Sequence, residues 1–185
     1  MDEIIPRSLL WNKAGKSGFL LGIMTIAFML ASSLSGTLLG GAESFGSRML
    51  GNFLGILLWV AKIVSCILLM RYFLKRLVAE YPAADNAHTL KYGIRIALFS
   101  SLIVVAYNIA DVLLIHPDMY ADSIRQMMEQ FSSMMDSNTL EMMEKMTGRM
   151  PVYVFFVLFL YNFVWGWILS IILSRNIPSR DPFSR

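Results

Sequence analysis

Four long apolar stretches alternate with polar and charged segments along the chain. The stretches cover about residues 18–41, 50–70, 93–115 and 150–173. A helix needs about 20 apolar residues to cross the roughly 30 Å hydrocarbon core of a bilayer. Lipid offers no hydrogen-bond partners, so an isolated crossing segment must satisfy its backbone groups internally, as a helix does. The pattern therefore predicts an all-α, polytopic membrane protein.

The connection between the first two stretches is short, at about residues 42–49. Short connections make sequential helices antiparallel neighbours. We therefore expect an antiparallel four-helix transmembrane bundle that forms one membrane domain over residues 1–185, with polar tails at 1–17 and 174–185.

A cleaved signal peptide is the alternative interpretation of the first stretch. Lys13 and Lys16 provide a positive flank, and Ala31, Ser32 and Ser33 provide small residues for cleavage. The apolar run is longer than the core of a typical signal peptide, which favours a retained span. Cleavage would leave the orientation of the other three spans unchanged.

Lysine and arginine are distributed unequally between the segments that flank the spans. The N-terminal tail, the connection between spans two and three, and the C-terminal tail carry three, five and three of them. The two remaining connections carry one and three. Cytoplasmic segments of membrane proteins are enriched in these residues. We therefore expect a multi-pass protein of the bacterial inner membrane with both termini in the cytoplasm.

Composition supports the membrane class and excludes others. The chain is 56% hydrophobic and 16% charged, whereas soluble domains carry about 25% charge. Its net charge of +3 comes from residues beside apolar spans, so we expect the bilayer and not nucleic acid as the partner. The single cysteine, Cys66, excludes a disulfide within the chain. No P-loop, nucleophile elbow, HExxH motif or cysteine pair is present, so we expect neither an enzyme nor a cofactor.

Small residues recur at spacings of four within the spans. Because burial alone does not drive helices together in lipid, close backbone approach at small residues does so instead. The pairs are therefore expected to face neighbouring helices of the same bundle, with a homo-oligomer interface as the alternative. They are Gly18 and Gly22, Gly36 and Gly40, Gly51 and Gly55, and Gly166 and Ser170.

Polar residues inside the spans form the candidate site. Lys62 lies near the middle of span two, and Asp111 lies near the outer end of span three, one turn after Asn108. Side chains lean toward the N-terminus of their helix, so Lys62 and Asp111 are directed toward each other. Asn162 of span four lies at about the depth of Lys62.

Three interpretations of this cluster are open. A charge at mid-bilayer costs about 2.5–3.5 kcal/mol on insertion scales and is usually paired or functional. An internal Lys62–Asp111 pair is favoured, bridged by Asn108 or water. The alternatives are a snorkelling Lys62 and a site for an ion, proton or ligand.

Residues 116–149 are the longest segment between spans that is expected outside the membrane. Apolar residues recur there at three- and four-residue spacing, and Asp136-Ser137-Asn138 interrupts them. This pattern predicts an amphipathic helical hairpin. Its methionines are expected to pack, with a partner surface or a Cu(I) site as alternatives; no metal site is predicted. The candidate partner surface comprises Met127, Met128, Phe131, Met134 and Met135.

The order of these features resembles an uncharacterised family of bacterial inner-membrane proteins, the domain of unknown function forty-one ninety-nine. The matching stretches are residues 18–22 (GFLLG), 115–118 (IHPD), the Met- and Glu-bearing hairpin, and 166–170 (GWILS). The resemblance covers nearly the whole chain. It implies four spans and an envelope location, and it implies no activity.

Two functions follow as hypotheses. The favoured one is a non-enzymatic scaffold or regulatory protein that binds a membrane or periplasmic partner, or a second copy of itself, through the hairpin or the helix faces. The alternative is a carrier or channel-like protein for an ion, proton or small amphiphile that uses Lys62, Asp111 and Asn108.

Overall fold

The computed structural model describes residues 6–40, 45–81, 84–115, 122, 126, 129–130 and 150–177. Four helices account for most of these residues: α1 (Arg7–Gly40), α2 (Phe45–Glu80), α3 (Asn86–Ala110) and α4 (Met150–Arg175). A π-helical segment, Asp111–Ile115, continues α3. Within these ranges there is no β-strand. The all-helical class predicted from the sequence is therefore confirmed.

The helices are longer than the apolar stretches that predict them. Helix α1 begins 11 residues before Gly18, and α2 continues 10 residues beyond Met70. The added turns are rich in Leu, Lys and Arg, which are good helix formers, so a polar surrounding does not end the helix. Hydropathy thus locates the apolar part of each helix and underestimates the length of the helix.

All four helices are long and apolar enough to cross a membrane. The qualifying segments are Ser8–Gly36, Met49–Glu80, Asn86–Ile115 and Val152–Arg175. Their outer surfaces carry large exposed apolar side chains along almost the whole length. A soluble monomer rarely exposes such contiguous apolar surface. The structure therefore has the pattern of a multi-pass membrane protein.

The chain divides into two compact units. The first comprises Met1–Val104 and Asn162–Arg185, and the second comprises Val105–Tyr161. The core of the first unit brings together the start of α1, the end of α2, the start of α3 and the end of α4. Its most deeply buried apolar side chains are Ala14, Met70, Leu74, Leu77 and Ile96.

Two of the predicted small-residue pairs lie against neighbouring helices. A Cβ placed on Gly18 would lie 2.6 Å from Phe99 Cβ, and one on Gly166 would lie 2.5 Å from Ala97 Cβ. Only glycine permits this approach of α1 and of α4 to α3. The other pairs behave differently, because a Cβ on Gly36 or Gly55 would meet no atom within 4 Å.

Polar side chains also connect the helices of the first unit. Ser17 and Tyr92 share a buried hydrogen bond of 2.9 Å between α1 and α3. Lys13 of α1 forms a salt bridge with Glu80, the last residue of α2, and its amine also donates to the Tyr81 hydroxyl at 3.3 Å. These contacts place the first turns of α1 beside the last turn of α2.

Candidate functional site

A cavity of about 320 Å³ lies between α1 and α2. Lys62 lines it from α2, and Ser32 and Ser33 line it from α1. The remaining wall is apolar or aromatic and consists of Phe28, Met29, Leu58 and Trp59. All seven residues belong to the first compact unit, so the cavity is complete within that unit.

Helical spacing explains why these residues meet. On α2, Lys62 follows Leu58 by four residues and Trp59 by three, so the three side chains share one face. On α1, Phe28 and Met29 form the facing wall together with Ser32 and Ser33, which follow them by four residues. Lys62 is half-buried there, and the neighbouring Val60, Ile63 and Val64 are exposed apolar residues of the same helix.

A contact between Thr25 and Cys66 joins the two helices one turn from the cavity. Their Oγ1 and Sγ atoms are 3.7 Å apart. The Thr25 hydroxyl donates its one proton to the Leu21 carbonyl at 2.9 Å, so the thiol of Cys66 is the donor to Thr25. The contact joins α1 and α2 in the register at which Ser32 and Ser33 lie opposite Lys62.

The polar groups that line the cavity are dominated by donors. A lysine ammonium offers three N–H donors and no acceptor, and an indole N–H only donates. Each serine hydroxyl donates once and accepts as well. No carboxylate appears in the described lining. Such a wall is suited to a group that accepts hydrogen bonds.

The other members of the predicted polar cluster occupy different places. Asp111 opens the π-helical segment, and it and Asn108 are half-buried residues of the second unit. Asn162 is a half-buried residue of the first unit. All three take part in interactions. Because Lys62 and Asp111 belong to separate units, their pairing stays a prediction.

The π-helical segment at Asp111 was not anticipated from the sequence. Apart from Asp111 itself the segment is apolar, with Val112, Leu113, Leu114 and Ile115, and nothing in this residue pattern signals the wider turn. Segments of this kind are rare and are found frequently at functional sites. Its position adds a structural reason to keep Asp111 among the candidate residues.

The methionine-bearing surface lies outside the described residues. This applies to Met127, Met128, Phe131, Met134 and Met135, and to all of residues 116–149 except 122, 126 and 129–130. The three interpretations of these methionines therefore stay predictions.

A cation–aromatic contact also lies within the first unit, and the sequence did not reveal it. The guanidinium carbon of Arg95 lies 5.0 Å from the centre of the Trp11 ring, which meets Phe99 edge to face at 5.7 Å. Arg95 Nη1 is buried and has no hydrogen-bond partner among the described residues. Exposed contacts of this type are worth about 0.5–1 kcal/mol. The contact fixes the start of α1 beside α3.

Asp85 caps the start of α3. Its Oδ1 atom accepts from the His88 backbone N–H at 2.8 Å and lies 2.6 Å from His88 Nδ1. The hydrogen bond from the His88 backbone N–H, and to a smaller extent the contact with the His88 ring, hold the pKa of Asp85 below its usual value of 3.8. Asp85 directly precedes the first residue of α3, and aspartate is a preferred N-cap residue. The start of α3 could therefore have been predicted from this residue.

No curated protein matches the chain, and no solved structure matches it. A family model described as "Protein of unknown function (DUF4199)" matches residues 16–175. This range contains the cavity, α2, α3, α4, most of α1, and the Gly18 and Gly166 contacts. Because the match covers most of the 185 residues and confirms the resemblance seen in the sequence, the chain belongs to the DUF4199 family.

Proposed function

We propose that the protein is a non-enzymatic carrier or channel-like protein that admits a small ligand to the Lys62 cavity. The observation that carries this proposal is the cavity itself, with a lysine and two serines between apolar helices. Its volume of about 320 Å³ falls at the lower end of ligand pockets, which span about 300–1,000 Å³. An ion, a proton relay with water, or the head of a small amphiphile fits this volume.

The depth of Lys62 supports the proposal. Lys62 lies 13 residues after Met49, the start of its candidate span, and 8 residues before Met70, after which α2 carries Arg71, Lys75 and Arg76. At 1.5 Å per residue these separations are about 20 and 12 Å. Lys62 therefore lies well inside the apolar part of α2. A charged side chain at such a depth is costly and is usually functional or paired.

The proposed arrangement is an antiparallel bundle in the inner membrane with both termini in the cytoplasm. Two observations support it. Lys13, near the start of α1, contacts Glu80 at the end of α2, and Thr25, further along α1, contacts Cys66, which comes earlier in α2. Contacts in this order are those of two antiparallel helices. The unequal distribution of lysine and arginine supports the sidedness.

A flux assay in proteoliposomes tests the carrier role. We expect the wild type to dissipate a gradient of ions, protons or a fluorescent amphiphile, and Lys62→Met to abolish that flux. Lys75→Met, an exposed lysine of the same helix, is the matched control and should leave flux unchanged. Absence of flux in the wild type across these probes would refute the carrier role.

A reporter fused after Arg185 tests the sidedness separately. A cytoplasmic reporter such as green fluorescent protein is expected to be active, and a periplasmic alkaline phosphatase is expected to be inactive. The reverse pattern would contradict the proposed orientation without bearing on the cavity.

The scaffold role is the second candidate, and one observation favours it. The face of α2 around Gly55 is open, because a Cβ on Gly55 would meet nothing within 4 Å and Trp59, four residues later on the same face, is exposed. A transmembrane helix of a partner fits such a face, because small residues permit close approach in lipid. We expect Gly55→Leu to remove a partner that native mass spectrometry detects from nanodiscs, whereas Ala27→Leu on α1 should retain it. Equal retention by both variants would contradict this surface.

A further inference from the structure

We infer that the Lys62 cavity binds an anion, namely a carboxylate or phosphate group that is either free or carried by an amphiphile. The inference rests on the proposed ligand-binding role of the cavity and adds the chemical class of the ligand. It depends on three properties of the wall: its charge, its hydrogen-bond donors and its apolar part.

The charge of the described wall is positive. Lys62 is its only ionisable residue. Among the described residues of the first unit, the salt bridges join Lys13 to Glu80 and His88 to Asp85, so neither involves Lys62. A bound anion would supply the opposite charge that a lysine far from both helix ends requires.

The hydrogen-bond donors point to the same class. Lys62, Trp59 and the two serine hydroxyls together offer more donors than acceptors. One nearby acceptor is already engaged, because the Ser35 hydroxyl donates to the Ser32 carbonyl at 2.8 Å. A metal cation would need several oxygen ligands from this wall, whereas carboxylate and phosphate oxygens accept from all of its donors.

The apolar wall limits the size and shape of the ligand. A water molecule occupies about 30 Å³ in the liquid, so 320 Å³ has room for about ten waters or for one anionic head with a few methylenes. Phe28, Met29 and Leu58 would contact such methylenes. An anionic amphiphile and a small free anion share this chemistry, and the experiment has to separate them.

The test is fluorine NMR of the full chain labelled with 5-fluorotryptophan in phosphatidylcholine nanodiscs. The chain has four tryptophans, of which Trp59 lines the cavity. Loss of a resonance in Trp59→Phe assigns it, and the other three resonances serve as internal controls. Inorganic phosphate is titrated in one series and phosphatidic acid in the other.

We expect the Trp59 resonance to shift saturably in at least one series. Saturation with phosphatidic acid alone identifies a lipid headgroup, and saturation with phosphate identifies a free anion. Lys62→Met should weaken the apparent affinity at least tenfold, Lys62→Arg should keep it within a few-fold, and Lys75→Met should leave it unchanged.

Two results would overturn the inference: no saturable shift in either series of the wild type, or equal affinity in Lys62→Met and the wild type. If Lys62→Met does not fold, the wild-type titrations and the affinity of Lys62→Arg still test the anion site. The outcome is separable from the carrier role. Anion binding without flux would support the anion site and refute the carrier role. Cation or proton flux without anion binding would support the carrier role and refute the anion site.

Discussion

Replacing Gly18 by alanine tests how closely α1 and α3 pack. The new Cβ would lie 2.6 Å from Phe99 Cβ and 2.9 Å from the Ile96 carbonyl oxygen. Carbon atoms in contact prefer about 3.5–4.0 Å. The Ile96 oxygen is a backbone atom and cannot rotate away as the end of a flexible side chain can. The two helices must therefore separate by about 1 Å to admit a methyl group.

Overpacking of a well-packed site typically costs about 1–3 kcal/mol. Alanine also gains about 1 kcal/mol over glycine inside a helix, which offsets part of this cost. Gly55→Ala is the matched control, because it brings the same gain at a position with no atom within 4 Å of the added Cβ. The difference in unfolding free energy between the two variants should then be the packing cost alone, about 1–3 kcal/mol.

Reversible unfolding in mixed micelles with increasing sodium dodecyl sulfate, followed by circular dichroism, measures this difference. Gly18→Ala should unfold at lower denaturant than the wild type, and Gly55→Ala at the same or higher denaturant. Equal shifts in both variants would show that Gly18 is not at a close helix contact, and the packing of α1 on α3 would have to be revised.

Three further predictions concern other contacts. Asp85→Ala should lower the unfolding free energy by about 0.5–1 kcal/mol at pH 7, the low end for an exposed N-cap. The cap lowers the pKa of Asp85, so its stabilisation is present above the usual value of 3.8 and is lost as pH falls through the folded-state value. An equal advantage of the wild type over Asp85→Ala at pH 7 and at pH 2 would contradict the lowered pKa. Ser17→Ala and Tyr92→Phe should each lower the unfolding free energy by about 1–3 kcal/mol, because each leaves a buried hydroxyl without its partner. The double variant should lose less than the sum of the two single losses. Strictly additive losses in the same micelle assay would argue against the hydrogen bond. If the hairpin methionines only pack, changing Met127, Met128, Met134 and Met135 to leucine should leave Cu(I) binding at the wild-type level; loss of a saturable Cu(I) site, measured by competition with a chromogenic chelator, would assign copper ligands instead.

Hydropathy predicted the helical class and four apolar helices, because lipid forces each crossing segment to satisfy its own backbone hydrogen bonds. The lengths of the helices were less accessible. Residues 7–17 and 71–80 continue α1 and α2 outside the predicted spans, since good helix formers do not require an apolar surrounding. The family was also recognisable from motifs distributed along the chain.

Periodicity shows which residues share a face, but it does not show what that face contacts. Gly18 and Gly55 both belong to pairs spaced by four, yet only Gly18 lies against another helix. The same limit applies to Lys62. Its position in span two followed from the sequence, and its pairing with Asp111 stays a prediction. Nothing in the sequence indicated that Ser32 and Ser33 line a cavity with it, as they do in the structure.

Composition of continuous segments was thus enough to predict a membrane protein and the four apolar helices that the structure describes. Which helix faces meet, and where a cavity opens between them, became visible only in the folded chain. The register of α1 on α2 underlies both features and is seen in the Thr25–Cys66 and Lys13–Glu80 contacts, each between residues more than 40 positions apart. Contacts at that separation depend on how helices approach one another, and local sequence patterns do not encode that approach.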